Sequence, residues 1–192
     1  MKGVGMVRGW MVALLAGLMP VVALGKGVDE ALVTRLKTEK KCQKCDLQAT
    51  NWEGVDLSGA EVSGAFFLRG KMRGVNLVEA KLVWTNLEMT DLTEADLSRA
   101  DLTGADLRSA DLSRARLVKS YLYGANMAGA HAQGADLTDA FMKGVNLMGA
   151  DLRGANLKGA NLERAVLNDA LLDGATWTDG RVCAAQSKGA CR

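Results

Sequence analysis

The sequence is poor in proline, histidine and aromatic residues, and each shortage excludes something. One proline, Pro20, and no Pro-, Ser- or Gly-rich stretch occur in 192 residues, so nothing indicates a linker or a second domain. The single histidine, His131, lacks a Cys or carboxylate cluster around it, which favours a surface residue over a metal ligand. There is no glycine-rich phosphate loop, because the glycines recur at one position of a short repeat. We therefore expect no catalytic residue, cofactor site or metal site, and no enzyme.

What the chain has instead is a strict period of five. From Leu47 to Trp177 every fifth residue is large and apolar, except Ala132. The residue two positions before each of these centres is Ala in 18 of 27 units and is never long or charged. Asp or Asn usually stands between the two, and Ser, Thr, Arg, Lys, Glu or Gly follows. The small residue and the centre are therefore predicted to point inward.

Neither an amphipathic helix nor a long strand fits this period. Five steps of about 100° scatter the centres around a helix, and strand side chains alternate with period two. Short extended pieces joined by corners satisfy both inward positions. Repeated turning in one sense then predicts an all-β solenoid, with coils about 4.8 Å apart.

Units such as Ala95-Asp96-Leu97-Ser98-Arg99 resemble those of the pentapeptide-repeat proteins, and the resemblance covers Cys45 to Asp179. It implies a right-handed quadrilateral β-helix with four units to a coil, and hence about seven coils. On this basis Met127, Ala132 and Met142 share a coil, where the long thioethers can fill the space that Ala132 leaves. Trp52 and Trp177 lie near the two ends and are expected to help cover the core.

The first 25 residues differ from the rest. A basic start, an apolar run from Trp10 to Leu24 and the small residues of Ala23-Leu24-Gly25 predict a secretory signal peptide cut before Lys26. The alternative is an uncleaved membrane anchor. Removal of a signal predicts an exported protein, in the bacterial periplasm or secreted, with no stable membrane insertion.

Charge argues against a nucleic-acid partner. Residues 45–180 carry 13 basic and 19 acidic residues, so the repeats are mildly acidic, while the mature chain is close to neutral. A neutral protein does not attract nucleic acid.

The four cysteines lie outside the regular repeats or at their first position. Export predicts disulfides, and the solenoid places the two pairs at opposite ends, which predicts Cys42–Cys45 and Cys183–Cys191. Cys42-Gln43-Lys44-Cys45 also has the spacing of a thioredoxin-like redox site, and four cysteines can bind zinc. The βαβ context of the first is missing, and the length of the rod keeps the two pairs apart. The Cys-containing ends resemble an exported bacterial branch of the pentapeptide-repeat family.

Residues 29–40 are predicted to form a short helix, because Val28, Ala31, Leu32 and Leu36 have helical spacing. Solenoids need atypical ends, so this helix is interpreted as an N-terminal cap. The resulting division is a signal peptide at 1–25, the capping helix and Cys motif at 26–44, the β-helix at 45–180 and a Cys-closed cap at 181–192.

Aromatic side chains replace Asp or Asn at two outward positions, Tyr121 and Phe141, which the four-sided fold stacks one coil apart. Val118 and Tyr123 lie at nearby corners. These four residues are the candidate interaction surface for a protein partner. The alternative is an outer ladder that only stabilises the stacking of coils.

Two functions stay open at this stage. The first is a non-enzymatic exported structural or interaction protein that presents a rigid β-helical surface, with its partner and oligomeric state undetermined. The second comes from family members that mimic DNA and modulate a type II topoisomerase. Those proteins are cytoplasmic, strongly acidic and dimeric, whereas this chain has an export signal and a neutral mature sequence.

Overall fold

The computed structural model describes residues 30–192, so the proposed signal peptide lies outside the described residues. The first element is an α-helix, α1, at Glu30–Glu39. Its apolar residue Leu36 is fully buried in the core. The helix stops at Lys40, whose N–H still donates to the Leu36 carbonyl at 3.0 Å while its φ of 53° turns the chain out of the helix. Helix α1 thus ends one residue before the predicted Lys40, while the predicted first residue, Asp29, lies outside the described residues.

The rest of the fold is built from single parallel β-bridges that join each outward middle residue to the residue 20 positions later. The bridges run without interruption from Lys41↔Glu61 to Asn156↔Thr176. Four five-residue units therefore complete one coil, as the resemblance implies. Each unit contributes one short side, and the coils stack directly on one another through backbone hydrogen bonds such as Leu97 N–H to Arg116 O at 2.7 Å.

Both predicted inward positions are in the core. Every unit centre from Leu47 to Leu157 is fully buried, including Met127, Ala132 and Met142 of the coil with the unusual centres. The small residues beside the centres are buried as well, except Val55 and Ala165, because the corner brings the chain back too tightly for a longer side chain. Where Thr or Ser occupies this site, its hydroxyl donates to a backbone carbonyl, as Thr85 does to Leu82 O at 2.7 Å.

The corners explain the remaining three positions. The residue two after each centre from Leu47 to Leu172 has a left-handed backbone, with φ of 58° at Arg99 and 65° at Gly104. The Asp or Asn before the centre accepts a hydrogen bond from the backbone two residues on, as Asp96 Oδ1 does from Ser98 N–H at 3.0 Å. This local Asx turn is the reason why Asp and Asn dominate the outward middle position.

The ends of the solenoid differ from its middle. Cys42 pairs with Cys45 and Cys183 with Cys191, at Cα–Cα distances of 5.5 and 4.9 Å, which is the pairing that the sequence predicts. Trp52 is fully buried next to Phe67. Trp177 is only partly buried.

After Trp177 the chain turns back over the last coil. Two antiparallel bridges, Leu171↔Lys188 and Thr176↔Val182, hold it there. Within residues 30–192 no helix has the length and apolar character needed to cross a membrane.

Candidate functional site

The candidate surface lies on one side of the solenoid, formed by the units centred on Leu82, Leu102, Leu122 and Met142. Its middle residues Tyr121 and Phe141 are joined by a parallel bridge, and their rings are stacked with centroids 4.9 Å apart and planes 6° apart. Both rings remain about half exposed, at 48% and 47%. The four-sided geometry therefore brings together the two aromatic residues that the sequence analysis paired.

These two rings stand where other units have an Asx turn. Tyr123 N–H and Lys143 N–H accordingly have no carboxylate or amide acceptor in the described residues, unlike Thr138 N–H, which donates to Asp136 Oδ1 at 3.1 Å. A forgone hydrogen bond of this kind costs roughly 0.5–1.5 kcal/mol. The stacked rings thus replace a locally favourable turn at two successive coils.

Tyr123 and Trp84 extend the aromatic surface to the next corner. Tyr123 is 58% exposed, and Trp84 is 71% exposed with a left-handed φ of 56°. The Trp84 indole lies directly against Gly104 in the next coil, in space that a Cβ on Gly104 would fill. Gly104 therefore makes room for the ring, and Gly104 N–H bonds to Tyr123 O at 3.0 Å.

Sequence reasoning did not find Trp84, because it started from the outward middle positions Tyr121 and Phe141 and added only the corners beside them. A glycine 20 residues after an outward tryptophan is the signal that could have found it. We call Trp84, Tyr121, Tyr123 and Phe141 the aromatic face.

Val118, the fourth predicted residue, is partly buried and does not share the exposure of the rings. It lies with Val78 and Ser98 in a shallow depression of about 310 Å³. Arg99 and Lys119 also line this depression. Val118 is thus beside the aromatic face, in a more charged setting.

Ion pairs bound the aromatic face above and below. Lys81 Nζ lies 2.9 Å from Glu61 Oε1, and Lys143 Nζ lies 2.9 Å from Glu163 Oε2. The hydrogen bond and charge of Lys81 hold the pKa of the Glu61 carboxyl below its usual value. An apolar centre with a polar, charge-balanced rim is the composition typical of protein-binding surfaces.

The opposite side carries His131, exposed between Asp111 and Asp151 in adjacent coils. Asp151 is already bonded by Arg153 and by Gln133, and the hydrogen bond from Arg153 holds its pKa below the usual value. Among residues 30–192 no group of three His, Cys, Asp or Glu side chains is arranged to hold a metal ion.

A family model for pentapeptide repeats matches residues 41–176 with eight copies, in the ranges 41–77, 76–114, 105–144, 115–154 and 146–176. The chain belongs to the pentapeptide repeat family. Pentapeptide repeat proteins fold as right-handed quadrilateral β-helices, in agreement with the 20-residue spacing of the bridges. Members of the family are generally structural or interaction proteins.

Several solved pentapeptide repeat proteins are similar to the chain. HetL from the cyanobacterium Nostoc sp. strain PCC 7120, involved in regulation of heterocyst differentiation, is 26% identical, with 78% of this chain and 97% of HetL covered and a TM-score of 0.28. Rfr23 from the cyanobacterium Cyanothece 51142 is 25% identical, with coverage of 77% and 98% and a TM-score of 0.35. QnrB1, a plasmid-mediated fluoroquinolone resistance protein, is 15% identical, with coverage of 72% and 84% and a TM-score of 0.35. No curated protein matches the chain significantly.

Proposed function

We propose that this chain is a non-enzymatic, exported pentapeptide repeat protein that presents a rigid β-helical surface to a protein partner, with the aromatic face as the contact. The observation that carries the proposal is the placement of the exposed aromatic residues. Of the five exposed aromatic side chains among residues 30–192, four form the aromatic face, and Phe66 is the exception. Four of these five side chains therefore share one of the four sides of the solenoid.

The exposure of these rings supports binding rather than packing alone. Trp84 and Tyr123 are each more than half exposed, so most of their apolar area gains nothing from the fold. Tyr and Trp are also the residues that most often dominate the binding energy of protein interfaces. Stacking of coils explains the contact of Tyr121 with Phe141, but it does not explain the exposure of Trp84 and Tyr123.

Rigidity is the second part of the proposal. We infer about seven coils, closed by helix α1 at one end and partly covered by residues 181–192 at the other. The buried Leu36 and the ammonium of Lys40, which donates to Asp56 Oδ2 at 3.0 Å, support the role of the helix as a cap. The domain division 1–25, 26–44, 45–180 and 181–192 belongs to this proposal. A surface that does not rearrange loses little conformational entropy on binding.

Export is the third part. The disulfides Cys42–Cys45 and Cys183–Cys191 fit an oxidising compartment, and the sequence of residues 1–25 fits a cleaved signal peptide. We propose the bacterial periplasm, with secretion as the alternative. Cell fractionation followed by N-terminal sequencing tests this, and the expected mature chain begins near Lys26. Full-length protein in the cytoplasm would contradict it.

The DNA-mimic function is not proposed. Carboxylates of the repeats are paired with basic residues one coil away, as in Arg99–Glu79 at 3.0 Å and Arg108–Glu88 at 2.8 Å. Such pairing breaks up the continuous negative rows that imitation of a phosphate backbone needs.

The experiment for partner binding compares three tagged proteins purified from the exported fraction. These are the wild type, the double variant Tyr121→Asp/Phe141→Asp, and a control His131→Asp on the opposite side. We expect a discrete protein that copurifies with the wild type and the control and is lost from the double variant, while all three unfold at similar urea concentrations. Equal recovery with all three, or no associated protein in any, would refute the proposal.

A further inference from the structure

The second end of the solenoid is covered on only two of its four sides. Leu171 and Thr176 pair with the returning chain at Lys188 and Val182. Asn161 and Val166, in the two preceding units, have no bridge to any later residue among those described. The sides formed by residues 160–169 therefore end in an edge that no later described strand covers, which we call the open edge.

The backbone groups of the open edge are unpaired. In earlier units the centre and the residue two after it donate to the next coil, as Met142 N–H and Gly144 N–H do to Asn161 O and Glu163 O at 3.0 and 2.8 Å. The equivalent N–H groups at the open edge have no acceptor within residues 30–192, and they belong to Leu162, Arg164, Leu167 and Asp169.

The carbonyls alternate with these donors. Ala140 O accepts from Asn161 N–H at 2.9 Å, whereas Ala160 O and Ala165 O accept nothing from the described residues. Unpaired strand edges of this kind are templates for a further strand.

Core side chains are also uncovered at this place. Leu162, Ala165 and Leu167 are partly exposed. The residues that correspond to the two leucines one coil earlier, Met142 and Leu147, are fully buried. The open edge thus lacks both the hydrogen bonds and the apolar contacts that one more coil segment would supply.

The returning chain forms a wall beside this edge. A recess of about 630 Å³ lies between Leu167 and Asp169 on the edge and Gly189 and Arg192 on the wall. Its volume is within the range of binding pockets for small ligands and short peptides. Lys188 Nζ lies 2.8 Å from Asp169 Oδ1 and holds the wall to the edge.

We propose that the open edge binds a short segment of a partner protein, extended along each of the two open sides and bent once at the corner between them, by β-augmentation. Carbonyls of the segment accept from the four free N–H groups, and its N–H groups donate to Ala160 O and Ala165 O. A small residue and a large apolar residue, separated by one polar residue, then point into the core. The segment that fits therefore has the pattern of the chain's own units. This site is independent of the aromatic face.

A second copy of the chain fits the edge less well. The returning chain of each copy projects one strand beyond the level of its open edge. Two open edges that pair would therefore bring the two returning chains into collision. A single segment brings no second returning chain and has to pass only Gly189, which lies beside Leu167 O and Asp169 N.

The test uses the full mature protein labelled with ¹⁵N and a synthetic peptide with the sequence of residues 95–105. We expect the peptide to shift the amide signals of Leu162, Arg164, Leu167 and Asp169, and to slow their hydrogen exchange at least about tenfold. A peptide with Leu97→Lys and Leu102→Lys should do neither, because its side chains cannot enter the core. In the protein, Leu167→Lys should weaken binding at least about tenfold, whereas Val166→Lys, which adds the same charge outside, should not.

Two results would overturn the proposal. One is the absence of any shift at millimolar peptide. The other is protection of the four amides that rises with protein concentration in the absence of peptide, which would assign the edge to a second copy.

Discussion

Replacing the stacked rings by asparagine separates binding from folding. In the double variant Tyr121→Asn/Phe141→Asn, loss of the ring stack removes about 0.5–1.5 kcal/mol beyond buried area. Each new Asn can accept a hydrogen bond from the backbone two residues on, as Asn146 Oδ1 does from Met148 N–H at 3.1 Å. These gains are about 0.5–1.5 kcal/mol each. Loss of the buried half of each ring costs a further roughly 0.75–1.5 kcal/mol per ring, half the value for a fully buried side chain. Total losses of about 2–4.5 kcal/mol are then offset by total gains of about 1–3 kcal/mol. The free energy of unfolding should therefore fall by less than about 2 kcal/mol.

The affinity for the partner should respond very differently. Truncation of an aromatic hot spot typically costs about 2 kcal/mol or more, which corresponds to about a 30-fold weaker Kd. Urea unfolding and titration calorimetry with the purified partner measure the two quantities on the same samples. The control is Asp111→Asn/His131→Asn on the opposite side, which should change neither by much.

The result that would refute this reasoning is a loss of more than about 3 kcal/mol in the free energy of unfolding with an unchanged Kd. The rings would then form an outer ladder that stabilises the stacking of coils, which is the alternative that the sequence leaves open.

Three further predictions concern the scaffold, and urea unfolding measures all of them. Gly124→Ala should lower the free energy of unfolding by about 1 kcal/mol, because Gly124 has a left-handed φ of 62° and nothing else lies near the new Cβ. Met89→Gly should raise the free energy of unfolding, because Met89 has a left-handed φ of 56°. A stabilising Gly124→Ala or a destabilising Met89→Gly would contradict the turn geometry. Ala110→Leu should lower the free energy of unfolding by about 1–3 kcal/mol or more, because Ala110 is fully buried. The control is His131→Leu at an exposed position, and equal effects of the two variants would contradict the packing. Hydrogen bonds from Ser58 N–H and then Lys40 lower the pKa of Asp56 to about 2, so its contribution should be complete above about pH 4 and lost as the pH falls to about 2; Asp56→Asn should lack this pH dependence.

The five-residue register predicts most of the fold, because each inward position has only one way to be satisfied. Through most of the solenoid the small residues and the centres are buried as expected. The exceptions, which are only partly buried, are Val55, Leu162, Ala165, Leu167 and Trp177. Tyr121 stacks on Phe141 because a coil contains 20 residues. Helix α1 follows from apolar spacing alone, and its last residue comes one position before the predicted one.

Other features depend on geometry that a register does not specify. The repeat pattern does not determine the rotamer of an exposed corner residue. The rotamer of Trp84 is set by its contact with Gly104 in the next coil. Which sides of the last coil stay uncovered depends on the path of residues 178–192 over that coil. Two antiparallel bridges and the Cys183–Cys191 disulfide set that path, and no periodicity describes it.

Photo-cross-linking in living cells tests most directly whether one side of the solenoid recognises a partner. A photoreactive amino acid is placed at equivalent positions on the four sides, replacing Tyr123, Ala128, Gln133 or Thr138 in turn. The aromatic-face proposal predicts a discrete cross-linked product from position 123 alone, in the exported fraction. Products of equal yield from all four sides, or a product from another side only, would contradict it.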